Sequence, residues 1–264
     1  MTHLREIAAG VHVLRQPVLD VNATLVVGGE AALVVDTLST VGQAQELLAA
    51  VRRVTPLPLA VVNTHHHFDH VFGNAVFAAG GAPIWGHEEA AALIVPALRD
   101  RAAAEWPDLD FEGVIPTPPD RLVRTVATAE LGDRVVQLRH FGRGHSIGDL
   151  VAVVPDADVI VAGDLVEQGG PPQFEDAYPL EWPDTVAALM TLLSPQSQVV
   201  PGHGAVVDAR FVASQHAQLA ALAWLIREGD QDGAPAERVA EKSPFPSDIS
   251  LPAVRRGYRQ LNSI

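Results

Sequence analysis

Residues 59–70 read LAVVNTHHHFDH, an apolar tetrapeptide that runs directly into four histidines and an aspartate. Leu59–Val62 has the length and composition of a buried strand, and Pro56 and Pro58 end whatever precedes it. In a chain that stays extended past Val62, side chains at 65 and 67 project to one side and that at 66 to the other. Two imidazoles on one side of a strand end make a natural chelating pair. Asp69 and His70 then fall near a helix start, where a carboxylate suits the free amides.

Three more polar residues sit in similar settings. His145 lies in GRGHSIGD, behind the apolar run Val135–Leu138; Asp164 directly follows VIVAG; His203 follows VVPG. Each stands just past the end of a predicted strand, so one edge of the sheets can gather them all. The chain has no cysteine, which excludes disulfides, thiolate metal sites and a Cys nucleophile. His, Asp and Glu remain as its strong metal ligands, a set that fits the nitrogen and oxygen preferences of zinc.

Working outward, Val11–Leu14, Ala23–Val27 and Ala31–Val35 read as strands, and Thr40–Val54 as a helix with Leu47, Leu48 and Val51 on one face. A second helix is expected over about 70–79, stopped by Gly80-Gly81, and a third over 88–104 that Pro96 kinks or divides. Strands recur at Leu122–Ala127, Val135–Leu138, Leu150–Val154, Val159–Ala162 and Gln198–Val200. Helices follow at Glu181–Leu193 and Ala209–Arg227. Strands then helix, twice over, imply two sheets covered by helices on their outer faces. Beyond Gly229 the chain is polar and Pro-rich, with short helices expected at 236–241 and 253–261.

The 264 residues are 48% hydrophobic, enough for a sizeable core. With 18 Lys and Arg against 32 Asp and Glu, the formal charge of −14 argues against a nucleic-acid substrate, which needs a basic stripe. The N-terminus has neither the basic start nor the cleavage site of a signal peptide, and no run approaches the ~18 apolar residues of a membrane span. A cytoplasmic protein with a small-molecule substrate is the expectation.

HxHxDH followed by GHS, AGD and PGH, in this order, resembles the metallo-β-lactamase superfamily over roughly residues 10 to 210. The resemblance implies an α+β fold, a four-layer αββα sandwich with metals at one edge. Residues 1–228 would form the catalytic domain and 229–264 a C-terminal extension. It also implies a first metal on His65, His67 and His145, a second on Asp69, His70 and His203, and Asp164 bridging both. The activity implied is that of a dinuclear zinc hydrolase acting on small esters, thioesters, lactones or β-lactam-like bonds through a hydroxide shared by the metals. Asp69 would orient that hydroxide and carry its proton.

Departures from the known branches narrow the reading. Subclass B1 β-lactamases carry Cys where this chain has Asp164. Many quorum-quenching lactonases carry Tyr at the position of Glu167, and flavodiiron proteins carry Glu at that of His67. Glyoxalase II holds glutathione with basic and Tyr residues after the bridging Asp, whereas QGGPPQFEDAYP supplies no Lys or Arg. The alternative of another class is an iron persulfide dioxygenase, which the motif set also resembles; its single iron would sit on His65, His145 and Asp164.

Other histidines carry less. His66 is expected to face away from the metals, His216 lies on a helix, and His3 and His12 lie near the terminus. His87 and His140 are read as packing or surface residues. Phe68, Phe72, Trp85, Phe141 and Trp182 are candidates to line an apolar pocket, with Phe72 and Trp85 read as core. Trp106 to Pro119, with Phe174, Tyr178 and Trp182, is a candidate lid, because long irregular segments in compact domains often cover a site.

Overall fold

The structure, a computed structural model, describes residues 3–262. The first sheet holds β1 (Arg5–Ala8), β2 (Val11–Arg15), β3 (Asn22–Val27) and β4 (Ala32–Val35), each antiparallel to the one before. Helix α1 (Val41–Val54) crosses over to β5 (Leu59–Val62), which pairs parallel with β4. Thr40 starts α1 by accepting a hydrogen bond from the Gln43 amide, and Thr55 ends it before Pro56. After α2 (Phe68–Val71) and α3 (Asn74–Ala79) come β6 (Ile84–His87), α4 (Glu88–Ala91), α5 (Pro96–Glu105) and β7 (Arg121–Val123). Strands β5, β6 and β7 run parallel at the sheet's far side.

The second sheet has the order β12-β11-β10-β9-β8. Its strands are β8 (Val126–Glu130), β9 (Val135–Arg139), β10 (Val151–Val154), β11 (Val159–Gly163) and β12 (Gln198–Pro201). Only β11 and β12 pair in parallel there. Between them lies α6 (Trp182–Met190), and α7 (Ala209–Gln231), α8 (Ala236–Ala240) and α9 (Ser247–Asn262) follow.

Strand periodicity builds the layers. Leu33 and Val35 face the second sheet, where they meet Val136, Leu138, Val159 and Val161; their neighbours Ala32 and Val34 face outward onto Leu47, Val51 and Phe77 of α1 and α3. In β10, Ala152 and Val154 join the intersheet core, while Val151 and Val153 pack outward with Trp182, Val186 and Leu222 of α6 and α7. The result is the four-layer αββα sandwich expected from the sequence.

Three details differ from expectation. Strands β1 and β6 lie in short stretches that carry little periodic signal. The helix expected over 70–79 begins at Phe68 and is broken at Phe72-Gly73, where a Cβ on Gly73 would stand 2.0 Å from the Thr37 carbonyl oxygen. The run Leu122–Ala127 is not one strand: Val123 pairs with His87 in the first sheet and Val126 with Arg139 in the second, so the chain changes sheets at 124–125. The helix over 88–104 is divided at Pro96, as expected; the proline stands at the first turn of α5, where its missing N–H costs nothing.

From 229 onward the chain ends α7 and adds α8 and α9, the last running to the final described residue. Val239, Ala240, Phe245, Ala253 and Val254 are buried in the same cluster as Trp182 and Leu222, so α8 and α9 belong to the outer layer of the second sheet. None of the described helices is long and apolar enough to cross a membrane.

Candidate metal centre

All seven residues singled out in the sequence meet at one edge of the sandwich. His65, His67, Asp69 and His70 follow β5, Asp164 follows β11, His203 follows β12, and His145 lies on the β9–β10 loop. Parallel pairing aligns the ends of β4 with β5 and of β11 with β12, so the loops that leave them open on the same side.

Two groups of donor atoms abut. His67 Nδ1 is 3.1 Å from His65 Nε2 and 2.9 Å from His145 Nε2, and Asp164 Oδ2 is 3.4 Å from that same His145 atom. In the second group His203 Nε2 is 3.3 Å from Asp69 Oδ2, and His70 Nε2 is 3.7 Å from it. Asp164 stands between the groups: Oδ1 is 3.2 Å from His70 Nε2, and Oδ2 is 3.4 Å from His203 Nε2. Gly202 makes room for that carboxylate, since a Cβ there would come within 1.6 Å of Asp164 Oδ1. The glycine of PGH is thus required by the aspartate of AGD.

The outward nitrogens fix how the rings present themselves. His70 Nδ1 is 2.9 Å from Asp36 Oδ2 and His203 Nδ1 2.7 Å from the Leu19 carbonyl oxygen, so both donate there. His67 Nε2 faces both Asp176 oxygens at 3.0 and 3.2 Å. Thr64 Oγ1 donates to Asp36 and is left to accept from His65 Nδ1 at 3.0 Å. Each of these four rings therefore turns its other nitrogen toward the centre, as metal-binding imidazoles with a carboxylate or carbonyl behind them do. His70 Nε2 and Asp164 Oδ1 are buried with no aligned hydrogen bond. A donor set of five imidazoles and two carboxylates, with orphaned buried atoms facing inward, fits divalent metal ions.

Charge follows the same geometry. Burial alone would raise Asp164 and Asp69, but the neighbouring histidines hold Asp164 well below the usual carboxylate range and bring Asp69 to about 2. Burial alone would lower His70 and His203, yet Asp164 and Asp69 outweigh it and hold both rings protonated well above the usual histidine value. His145 is lowered to about 4, chiefly by burial, and burial likewise lowers His65.

In metal-free protein these ion pairs stabilise the fold fully between the ordinary carboxylate pKa of 3.8 and the ordinary histidine pKa of 6.5. That contribution fades in acid as Asp69 titrates at about 2, and in base as His70 and His203 lose their protons. Metal must displace those two protons. Zinc titrated into apoprotein at pH 7 should release at least about two protons per chain. Calorimetry in buffers of different ionisation enthalpy measures them, and an uptake enthalpy independent of buffer would contradict the arrangement.

Three residues at the site escaped the sequence reading. Asp36, buried at the end of β4, accepts from the Thr64 amide at 2.8 Å and hydroxyl at 2.7 Å besides His70. Its one legible signal was an aspartate directly after the apolar LVV of a strand. Asp176, held below the usual carboxylate range against burial by His67 and His66, contacts both rings. Glu167 is buried 3.8 Å from His145 Nδ1; burial and the charge of Asp164 push it up to about 8, so it carries its proton at neutral pH.

His66 stands outside these two donor groups, with 64–66 bent rather than extended; its Nε2 lies 3.2 Å from Asp176, and with His67 and Asp176 it makes a third cluster of donor atoms. His87 and His140 stack with ring centroids 4.1 Å apart, and His87 caps α4 by accepting from the Glu89 amide.

A cavity of about 920 Å³ opens over the centre, lined by the apolar Leu19, Phe68, Leu98 and Trp106 and by the 168–171 stretch with Gln173. The candidate lid is thereby redrawn. From the 106–119 segment only Trp106 reaches the cavity; Phe111 and Val114 are buried against Val71 and Phe72. Phe174 and Trp182 are core residues of the second sheet's outer layer, and Tyr178 packs under Arg143.

The sequence pattern of the metallo-beta-lactamase superfamily matches residues 17–209, and the chain belongs to that family. It is similar to the acyl-coenzyme A thioesterase MBLAC2 of Gallus gallus, 32% identical over 165 residues covering 56% of this chain and 58% of that protein. The probable metallo-hydrolase YqgX of Bacillus subtilis (strain 168) is 26% identical over 159 residues, 59% of this chain and 72% of its own length. Among solved structures, a metallo-beta-lactamase from Pontibacter korlensis superposes with a TM-score of 0.68 at 22% identity. That match covers 83% of this chain and 99% of the other, which shows the shared fold.

Proposed function

We propose that this chain is a metal-dependent hydrolase of small acyl compounds: esters, thioesters, lactones or β-lactam-like amides. The observation that carries the reading is Asp164, buried between two groups of imidazoles whose inward nitrogens converge on it. His65, His67 and His145 would hold one zinc ion, and Asp69, His70 and His203 a second, with Asp164 shared. Bound zinc supplies a water of near-neutral pKa and polarises a carbonyl oxygen. Asp69, ionised and bordering the cavity, takes the proton of the attacking water and returns it to the leaving group. Glu167, which also borders the cavity, is a further polar group that can meet the substrate.

The cavity walls favour an apolar acyl group. Phe68 and Trp106, with ring centroids 6.1 Å apart, form an aromatic shelf beside Asp69. Arg101 is the one Lys or Arg among the described lining residues, and it is paired to Glu105 at 3.3 Å. Asp20, Glu105 and Glu175 border the same opening, so a polyphosphate-bearing leaving group meets carboxylates instead of a cationic cradle. The Gallus gallus relative is named an acyl-coenzyme A thioesterase, which places thioesters with and without coenzyme A in the decisive screen.

Metal analysis of the purified chain should find about two zinc ions. One iron instead, with oxygen-dependent persulfide turnover, would establish the dioxygenase alternative. Steady-state screening of aryl esters, lactones, simple thioesters, coenzyme A thioesters, β-lactams and phosphodiesters tests the substrate class, and phosphodiesters as the best substrates would refute it. Trp106→Ala should lower kcat/KM for long-chain acyl esters about 5- to 30-fold, for the loss of about 1–2 kcal/mol of apolar contact. Acetyl esters should change little. Equal losses on both would remove Trp106 from the acyl site.

A further inference from the structure

The family pattern ends at residue 209, yet α9 reaches the surroundings of the centre. Arg256, half-buried on that helix, turns three guanidinium nitrogens onto three consecutive carbonyls. Nε donates to Ala177 at 2.6 Å, Nη1 to Glu175 at 3.1 Å and Nη2 to Asp176 at 2.8 Å. The middle residue of that stretch is Asp176, whose carboxylate receives the outer nitrogen of His67. Loop carbonyls at a surface are ordinarily met by water; here a rigid, permanently charged fork fixes the peptide that carries a metal-facing histidine's partner.

The same helix reaches the loop of His145 through Tyr178 and Glu181. The Tyr178 ring lies 4.3 Å from the Arg143 guanidinium and 5.7 Å from that of Arg256, and the Tyr178 amide donates to Gly144 at 2.7 Å. Glu181 accepts from Arg143 at 2.7 Å and from Gln260 of α9 at 3.3 Å. Arg143 and Gly144 directly precede His145, so α9 holds one loop of this half of the centre directly and the other through Tyr178 and Glu181.

We infer that α9 is a strap for the metal centre and that Arg256 is its positioning residue, acting through Asp176 on His67. The inference rests on His67 being a metal ligand. The carboxylate behind His67 holds the ring in the tautomer that offers Nδ1 and fixes its orientation; without the clamp, the 175–177 loop and the ring gain freedom that metal binding must then remove.

Arg256→Ala and Arg256→Lys test this, with Arg255→Ala as the control on the same helix, since exposed Arg255 pairs with Glu237, away from the 175–177 loop. Zinc affinity, read by competition with a chromogenic chelator, should fall about 10-fold in Arg256→Ala, less in Arg256→Lys and not in Arg255→Ala. The visible spectrum of the cobalt-loaded protein should change shape in the same order. In metal-free protein, amides 174–178 should exchange faster in Arg256→Ala. Joining Arg256→Ala to Asp176→Asn should weaken zinc binding no more than about 2-fold beyond Asp176→Asn alone, because the two act in one chain.

A folded Arg256→Ala protein with unaltered zinc affinity and cobalt spectrum overturns the inference, and so do effects that multiply fully with Asp176→Asn. Where Arg256→Ala does not fold, Arg256→Lys decides by the same measurements. An unaltered chain that binds no zinc would instead refute the reading of function, and amide exchange would still decide whether Arg256 fixes the loop.

Discussion

Asp164→Ala should purify with less than about one zinc ion per chain and lose at least about 10³-fold in kcat/KM, because water without its metal returns toward its bulk pKa. No other residue of the site faces both donor groups: its two oxygens stand 3.2 Å from His70 Nε2 and 3.4 Å from both His145 Nε2 and His203 Nε2. Its removal also leaves His70 and His203 with only Asp69 and Asp36 to balance their charge, so both rings lose protons more readily in the apoprotein. His203→Ala is the contrasting variant. It deletes a ligand of the second group only, and should leave about one zinc ion, held by His65, His67, His145 and Asp164. Metal analysis after dialysis, with chelator competition, separates the two outcomes. Two ions retained in Asp164→Ala would mean that Asp164 is not shared.

The residues of the centre were legible because each stands at the end of an apolar run, where the period-two pattern stops and a polar residue has no packing reason to be. Strands β5, β11 and β12 show this directly: VV before NTHHH, VIVAG before Asp164 and VVP before Gly202 and His203. The layers were legible for the same reason, since buried strands of Val, Leu and Ala leave few other solutions. What escaped has a physical pattern of its own. Strand β6, IWGH, is too short to show a period, and the change of sheets at 124–125 happens inside one continuous apolar-polar run. Asp176 sits in a stretch with no periodicity, and only the fold reveals that Arg256, eighty residues later, holds its backbone. Phe174 and Trp182 looked like lid aromatics because composition cannot tell a loop that covers a site from one that is swallowed by the core.

Asp36 is where fold and centre depend on one carboxylate, and its replacement should show both. Oδ1 accepts the Thr64 amide and Oδ2 accepts the Thr64 hydroxyl and His70 Nδ1, at 2.8, 2.7 and 2.9 Å. The residue has φ of 63°, a left-handed conformation that Asp and Asn adopt more readily than most side chains. Asp36→Ala leaves three buried donors without an acceptor beneath the β4–β5 pair, and should cost about 3–5 kcal/mol. In a chain of this size that corresponds to a fall of roughly 6–20 °C in Tm. Asp36→Asn keeps the backbone conformation and one carbonyl acceptor but has no charge, and its amide cannot serve Thr64 and His70 as the second oxygen did. It should therefore fold with a smaller loss of Tm while the second metal binds about 10- to 100-fold more weakly. Thermal unfolding of the apoproteins and zinc titration read the two effects apart. If Asp36→Asn kept both zinc affinities while Asp36→Ala merely lost stability, Asp36 would be a structural clamp with no part in orienting His70.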